Sequence, residues 1–467
     1  MKRNILIFLA TFALAQTVHA QTPAEPPPPT SPSANVEQKL EALDQKVKVL
    51  ERRAEVAEEV AASRTAITGA KGDELIVRSA NGEVTLQLRG LLQVDSRVFL
   101  NDDARALADT ITPRRVRPIF AGTYEKLLKW QFTPDFGGGT VVIQDAWVEL
   151  NLGDYVTVRA GKMKVPFGLE RWQSAAALRF VERAYPTQLA PNRDVGLTVY
   201  GSLFDKRLDW TLGMFDGGID NSLTDSDTND SKEVIGRLAV QPFATSENDW
   251  LKALQVGGAI SWGEQNGTNA APNTPVIKTP GQNTFYSFRN GETSTDKSTT
   301  PPTVTNLPNP VANGARLRWT ANLWWNGGPI GLLVEYVSVN EPVSRGVVNG
   351  NWKSSAWQGA LSYVIGGKPS FTGTSVETPF RFGANGWGAL EFAGRASAIA
   401  IDNGTAWADP GKSASQATSL TGGVRWHLSE HYRLFVDYEH TYFTAGAANG
   451  LNRLAEQAVL GRVQLAY

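Results

Sequence analysis

Two lysines separated by one residue stand beside a proline and a glycine in residues 161–170, GKMKVPFGLE. Lys162 and Lys164 have no histidine, cysteine or serine neighbour in that stretch, so their chemistry is charge: an ammonium is a compact cation that holds an oxyanion without fixing its orientation. Other reactive patterns are weak. His427 to His431, HLSEH, matches the H-x-x-E-H pattern of inverted zinc peptidases, but that chemistry needs one helical face and the flanks alternate as strands. Asp225 to Asp230, DSDTND, begins like a calcium loop, yet Asp230 stands where the sharp-turn glycine belongs and Gly236 where a bidentate glutamate is required. With 0 cysteines there is no thiolate nucleophile, disulfide or zinc-thiolate site. No nucleophile and base constellation supports an enzyme, and no cofactor or metal is expected.

The elements that position the lysines depend on the compartment. Residues 1–20, MKRNILIFLATFALAQTVHA, have a basic start, a short apolar run and a small-residue end, the pattern of a cleaved signal peptide. The run is shorter than the roughly 20 apolar residues of a spanning helix. Residues 21–35 read as a proline-rich, extended linker. Over 36–64, Val36, Leu40, Leu43, Val47, Leu50, Ala54, Ala57 and Ala61 repeat at spacings of 4 and 3 among charged residues. This is a heptad seam that predicts a coiled coil joining subunits. Charges nearly cancel, with 45 Lys+Arg against 46 Asp+Glu, which argues against nucleic-acid binding.

From residue 73 to 467 the pattern is β throughout. In residues 83–100, Val84, Leu86, Leu88, Leu92, Val94, Val98 and Leu100 share one parity, while Thr85, Gln87, Arg89, Gln93, Asp95 and Arg97 share the other. Similar long strands follow, joined alternately by short turns such as NLGDY and HLSEHY and by long polar loops, the longest from about Glu264 to Gly314. Outer-membrane barrels have that asymmetry, with apolar-out and polar-in strands. The fold class predicted is all-β: a sixteen-stranded antiparallel transmembrane β-barrel with an N-terminal periplasmic coiled-coil helix. A soluble β-sandwich is the competing class, but it buries its apolar face and needs fewer residues. The last strand, ending at Tyr467, is similar to the C-terminal aromatic strands of such barrels.

Counted from the periplasm, YVTVRAG is the fifth strand, so the two lysines open the third external loop. Continued parity would put Lys162 and Lys164 in lipid, where an ammonium is costly. The chain is therefore expected to leave the wall near Gly161 and turn into the pore, and SAAALRFVERA reads as a helical turn or two. Pro166 and Phe167 suit a wedge that favours Lys164 as the constriction lysine. Arg159 falls on the polar side of its strand, as do Arg89, Arg97, Lys129, Arg316, Arg318, Arg395, Arg425 and Arg433. Asp95, Asp135, Asp145, Glu149, Glu335, Glu391 and Asp437 do so too, which predicts a lumen of mixed charge.

Several motifs occur in order: RRVRPIFAG at 114–122, TPDFGG, DAWVEL, GKMKVPFGLE, FVERAYP with APNRDVG, and WGALEFAGRAS followed by GGVRWHLSEHYRLFVDYEH. In these the chain resembles the phosphate-selective porin O and P family of Gram-negative outer membranes. The resemblance implies a trimeric porin of sixteen strands with a periplasmic coiled coil, selective for small anions such as phosphate or polyphosphate. It further implies that an arginine ladder and constriction lysines carry the anion. The matching positions are Arg114, Arg115 and Arg117, Lys162 and Lys164, and Arg193. Expected partners are those anions, outer-membrane lipid and two further copies of the chain. General small-solute diffusion, or envelope tethering through the coiled coil with a secondary pore, remain the alternatives.

Overall fold

The computed structural model describes residues 32–63, 66–69, 75–100, 107–153, 155–223, 230–296, 298, 300–301, 303–402 and 404–467. The expected signal peptide, and DSDTND apart from Asp230, lie outside them. The chain forms two units divided at residue 64. The first holds one helix, α1 (Pro32–Ser63). It starts inside the segment expected to be linker, because proline at the first helical position forfeits no intrahelical hydrogen bond. Val36, Leu40, Leu43, Val47 and Leu50 are all exposed, so in the single chain the heptad seam is uncovered.

Among the described residues of the second unit, sixteen antiparallel strands close into a barrel. They are β1 (Val84–Leu100), β2 (Thr110–Tyr124), β3 (Leu128–Asp135), β4 (Val142–Asn151), β5 (Thr157–Lys164), β6 (Arg193–Leu203), β7 (Leu208–Phe215) and β8 (Glu233–Val240). The second half comprises β9 (Leu254–Asn266), β10 (Val311–Gly327), β11 (Ile330–Arg345), β12 (Val348–Ile365), β13 (Ala389–Ile401), β14 (Ala414–His427), β15 (Tyr432–Ala445) and β16 (Glu456–Ala466). Closure is made by β16 on β1, from Gln457 opposite Leu100 to Ala466 opposite Leu91. Tyr467 and Gly90 then exchange backbone hydrogen bonds of 3.1 and 2.8 Å. A side chain at Gly90 would strike the Tyr467 ring, so glycine permits this last rung.

Alternation explains why these segments are strands and why the barrel belongs in lipid. Along β15, Leu434, Val436, Tyr438 and Tyr442 face outward and are exposed, while Arg433, Phe435, Asp437, Glu439 and Thr441 face inward and are buried. A soluble protein would reverse that distribution; a membrane barrel requires it.

The turns FDKRL, NGGP and HLSEHY, and the ends of β4 and β5 that NLGDY joins, all lie at one end, as the sequence predicts. Connections at both ends break the asymmetry. Residues 366–388 form a long excursion at that short-turn end, with a hairpin of Gly367–Ser370 and Gly373–Val376. Conversely β11 and β12 are joined at the long-loop end by residues 346–347 alone. The connection 267–310 also differs from a solvated loop: Phe285 and Tyr286 are buried against Tyr185, Phe443 and Trp352.

The third loop, residues 165–192, fills one side of the barrel. It meets the first strands through Gln93, which donates to Ala175 O at 3.1 Å, and further anchors lie on the second half of the wall. Glu335 on β11 accepts the Leu169 and Glu170 N–H groups, at 2.5 and 3.3 Å. Asp437 on β15 accepts Val181 N–H at 2.7 Å, and Tyr185 shares a 2.8 Å hydroxyl bond with Ser419 on β14. Helical turns occur at α2 (Leu169–Trp172), Ala175–Ala177 and Tyr185–Leu189. The expected helix through SAAALRFVERA does not form beyond Ala177, because the backbone of Val181, Glu182 and Ala184 bonds to Asp437, Arg395 and Glu170 instead.

Candidate functional site

Opposite the surface on which the third loop rests, the first strands turn an unusual number of cations inward. Arg114 and Arg115 are adjacent, so in a regular strand they would face opposite sides. A β-bulge removes that constraint: Gln93 pairs with Arg115 and Val94 with Pro113, which leaves Arg114 as the extra residue. Pro113 lacks an N–H and suits that break in the ladder. Arg114 reaches Glu182 on the third loop at 2.8 Å, Arg115 donates to Gln93 at 2.6 Å and Arg117 pairs with Asp135 at 2.7 Å. A second bulge beside Pro134 leaves Gln144 unpaired, so that Gln144 meets Asp135 while Asp145 meets Arg193 at 3.0 Å.

The chain does not leave the wall near Gly161. β5 stays paired through Lys164, opposite Arg193, and the inward turn follows at Val165 and Pro166. Gly161 instead takes φ 120° within the strand, where a side chain would strike Ala146 O and the Trp147 backbone. This separates the two lysines. Lys164 sits at the turn, and its Nζ donates to Trp172 O and Gln173 O at 3.2 and 2.8 Å. Lys162 is buried between Ala146 and Val195 in the wall.

The third loop adds cations of its own. Arg171 is held by Thr187 O and Asn221 Oδ1, and Arg183 donates to Glu170 O and Gln173 O at 3.1 and 3.0 Å. These partners are neutral, so the positive charge is not cancelled by contact. Burial, and then the nearby Arg193 for Arg171 and Arg171 for Arg183, push both below the usual arginine range. Burial alone would raise Glu182, but Arg114 and Arg115 hold its carboxyl well below the usual carboxylate range.

Between loop and wall lies a cavity of about 440 Å³. Among the described residues its cationic lining is Arg114, Arg115, Arg117, Lys164, Arg171, Arg183, Arg193 and Lys278, against the carboxylates of Asp135 and Glu182 only. Such a concentration of one sign between low-dielectric walls attracts anions and repels cations. A second cavity of about 370 Å³ shares Arg117, Lys164, Ala175 and Arg193 with the first and adds Arg89 and Arg159. Arg159 is paired with Glu149 at 2.9 Å.

The structure thus brings together Arg114, Arg115, Arg117, Lys164 and Arg193, sets Arg159 in the adjoining cavity, and leaves Lys162 out of both linings. Arg171, Arg183 and Lys278 were not anticipated. Arg171 lies one residue beyond GKMKVPFGLE and Arg183 within FVERAYP, so the motifs marked their neighbourhood, but nothing local shows which wall a loop residue faces. Across the lumen the charges are matched instead: Arg316 meets Glu233 at 2.9 Å, Arg425 meets Asp437 at 2.7 Å, and Arg318 meets both Asp220 and Glu233. HLSEH spans the end of β14 and the following turn; His427 Nε2 lies 3.0 Å from Glu391 and His431 Nδ1 2.7 Å from Ala466 O. That is no helical metal face.

A closed sixteen-stranded barrel with an outward apolar face and a loop folded into its lumen defines a porin of the outer membrane. The sequence profile of the family described as phosphate-selective porin O and P matches residues 86–467, and the chain belongs to that family. Among solved structures, the outer membrane channel DcaP of Acinetobacter baumannii aligns with TM-score 0.50 and 10% identity, covering 82% of this chain and 97% of that one. OmpT of Vibrio cholerae gives 0.48 and 9%, over 82% and 98% of the two chains. OmpF of Salmonella typhi gives 0.47 and 11%, over 83% and 99%. At such identities the likeness concerns the fold. No curated protein matches the sequence.

Proposed function

We propose that this porin is an anion-selective diffusion channel for small oxyanions of the phosphate and polyphosphate type. The observation that carries the reading is the excess of cations in the cavity between the third loop and β2–β6, eight basic side chains with two carboxylates. An oxyanion there exchanges part of its hydration for Lys164, Arg171 and Arg183, whose present partners are neutral, and for the arginines of the wall. Several neighbouring weak sites allow release as well as entry. Arg117, Lys164 and Arg193, common to both cavities, form the narrow passage in this reading. The protein reaches the outer membrane through a cleaved signal peptide and assembles as a homotrimer, with the exposed seam of α1 forming a periplasmic coiled coil.

The test is a reversal potential across a planar bilayer in a potassium chloride gradient, followed by titration with phosphate. Anion preference and a fall in chloride current on adding phosphate are expected. Cation preference, or a chloride current indifferent to phosphate, would leave general small-solute diffusion as the better account. A protein that gives no conductance steps would point to the tethering role that the helical seam suggests.

A further inference from the structure

The second cavity has a lining that an inorganic ion does not require. It shares Arg117, Lys164 and Arg193 with the first, and its carboxylate Asp145 is held by Arg193 at 3.0 Å, yet Trp147, Trp172 and Met163 also line it. Both indoles are half-buried on the pore side. Each has a guanidinium near its ring: Arg159 lies 4.1 Å from the centroid of Trp147, and Arg237 lies 6.0 Å from that of Trp172. Arg159 is committed to Glu149, with bonds of 2.9 Å from Nε and 2.5 Å from a terminal nitrogen, so it polarises the indole more than it offers a free charge. The cation poised beside this aromatic lining is Lys164, whose Nζ is 3.2 Å from the carbonyl of Trp172 itself.

A hydrated phosphate gains nothing from indole and thioether surfaces, whereas a planar ring gains both apolar burial and stacking. We infer that this cavity is a subsite for aromatic oxyanions, an arylphosphonate or aryl carboxylate whose head meets Lys164 and whose ring lies against Trp147 and Trp172. The inference rests on the anion-channel reading and narrows its substrate class. The narrow passage then selects on charge and the subsite on the body of the solute.

A pair of phosphonates with the same head isolates the ring. With full-length protein in planar bilayers, the concentration that halves the chloride current is measured for methylphosphonate, phenylphosphonate and inorganic phosphate. Phenylphosphonate is expected to act at about tenfold lower concentration than methylphosphonate. In Trp147→Ala and Trp172→Ala channels that ratio should fall below about threefold, and in Trp147→Phe most of it should return. If phosphate and methylphosphonate block but the wild-type channel shows no phenyl advantage, the subsite is overturned and the anion channel stands. An advantage that survives both alanine variants places the ring elsewhere and also overturns it. If none of the three ions blocks, the anion-channel reading falls and this inference with it. Where an alanine variant fails to insert, a wild-type channel without the phenyl advantage still overturns the subsite, and Trp147→Phe still tests the placement of the ring.

Discussion

Lys162 and Lys164 show how two residues of one type, two positions apart, part company. Lys164 lines both cavities and rests on neutral carbonyls, whereas Lys162 is buried in register between Ala146 and Val195. Lys164→Gln should therefore move the reversal potential toward zero and raise the half-blocking phosphate concentration about threefold to tenfold, tenfold corresponding to about 1.4 kcal/mol. Lys162→Gln should change either quantity less than about twofold; equal effects would show that both lysines face the pore. Glu182 has the opposite sign. Arg114 and Arg115 keep it ionised well below ordinary carboxylate titration, so the difference in anion preference between the wild type and Glu182→Gln should stay constant from pH 8 down to about 5 and shrink only in stronger acid, as protonation removes the negative charge. Glu182→Gln should show the raised preference already at neutral pH. A step near pH 4 to 5 in the wild type that is absent from the variant would contradict this placement.

At the scale of elements, the third loop divides the lumen. Its anchors on β11, β14 and β15 absorb carboxylates and hydroxyls of that wall; Arg179 also turns to that wall, bonding Asn326, while Arg171 and Arg183 line the cavity on the other side. Glu335 is an informative anchor because it accepts two loop N–H groups and also Gln358 Nε2 at 3.0 Å. Glu335→Ala leaves these donors without their acceptor, each loss costing about 1–3 kcal/mol if water does not replace it. The barrel ladder is independent of that bond, so the variant should insert with normal heat resistance. Its current should be noisier and its anion preference weaker as the loop samples positions off the wall. An unchanged single-channel record would mean that Asp437 and Ser419 suffice to hold the loop. Bulges at Arg114 and Gln144 play the complementary part on the other side, aiming consecutive side chains inward.

For the molecule as a whole, the barrel and the helix α1 are separate units with different chemistry. The barrel has its own closure and its own buried interior, while Val36, Leu40, Leu43, Val47 and Leu50 of α1 remain exposed in the single chain. In a trimer, the proposed state, covering that seam adds to contacts between barrel walls. Deleting residues 36–61 should lower the temperature at which the trimer dissociates in mild detergent, without preventing insertion or changing single-channel selectivity. A full-length protein that migrates as a monomer under those conditions would remove the basis of the proposal.

How much was legible follows from the range of each interaction. Strand parity is local, because a backbone of period two sends neighbours to opposite faces, and alternation along β15 or β1 therefore announces barrel, lumen and lipid side without knowledge of contacts. The same local reasoning placed the fifth strand, the loop after it and the heptads of α1, and motifs in sequence order pointed to Arg114, Arg115, Arg117, Lys162, Lys164 and Arg193, of which all but Lys162 line the cavity. Parity also found inward charges of both signs, a mixed lumen, as the buried Arg316, Arg425, Asp95 and Asp437 show. Only the tertiary structure decided that they are segregated: Arg395 lies 3.6 Å from Glu170 and Arg425 meets Asp437, whose other oxygen holds Val181, so one wall is matched while the cations around Lys164 are left in excess. Such pairings join residues far apart in the chain, and the bulges that turn Arg114 inward beside Arg115 depend on the register of neighbouring strands. Neither is a property of any single segment, which is why composition and alternation reported the charges present and the folded barrel alone determined which of them are paired across the wall and which line the cavity beside the third loop.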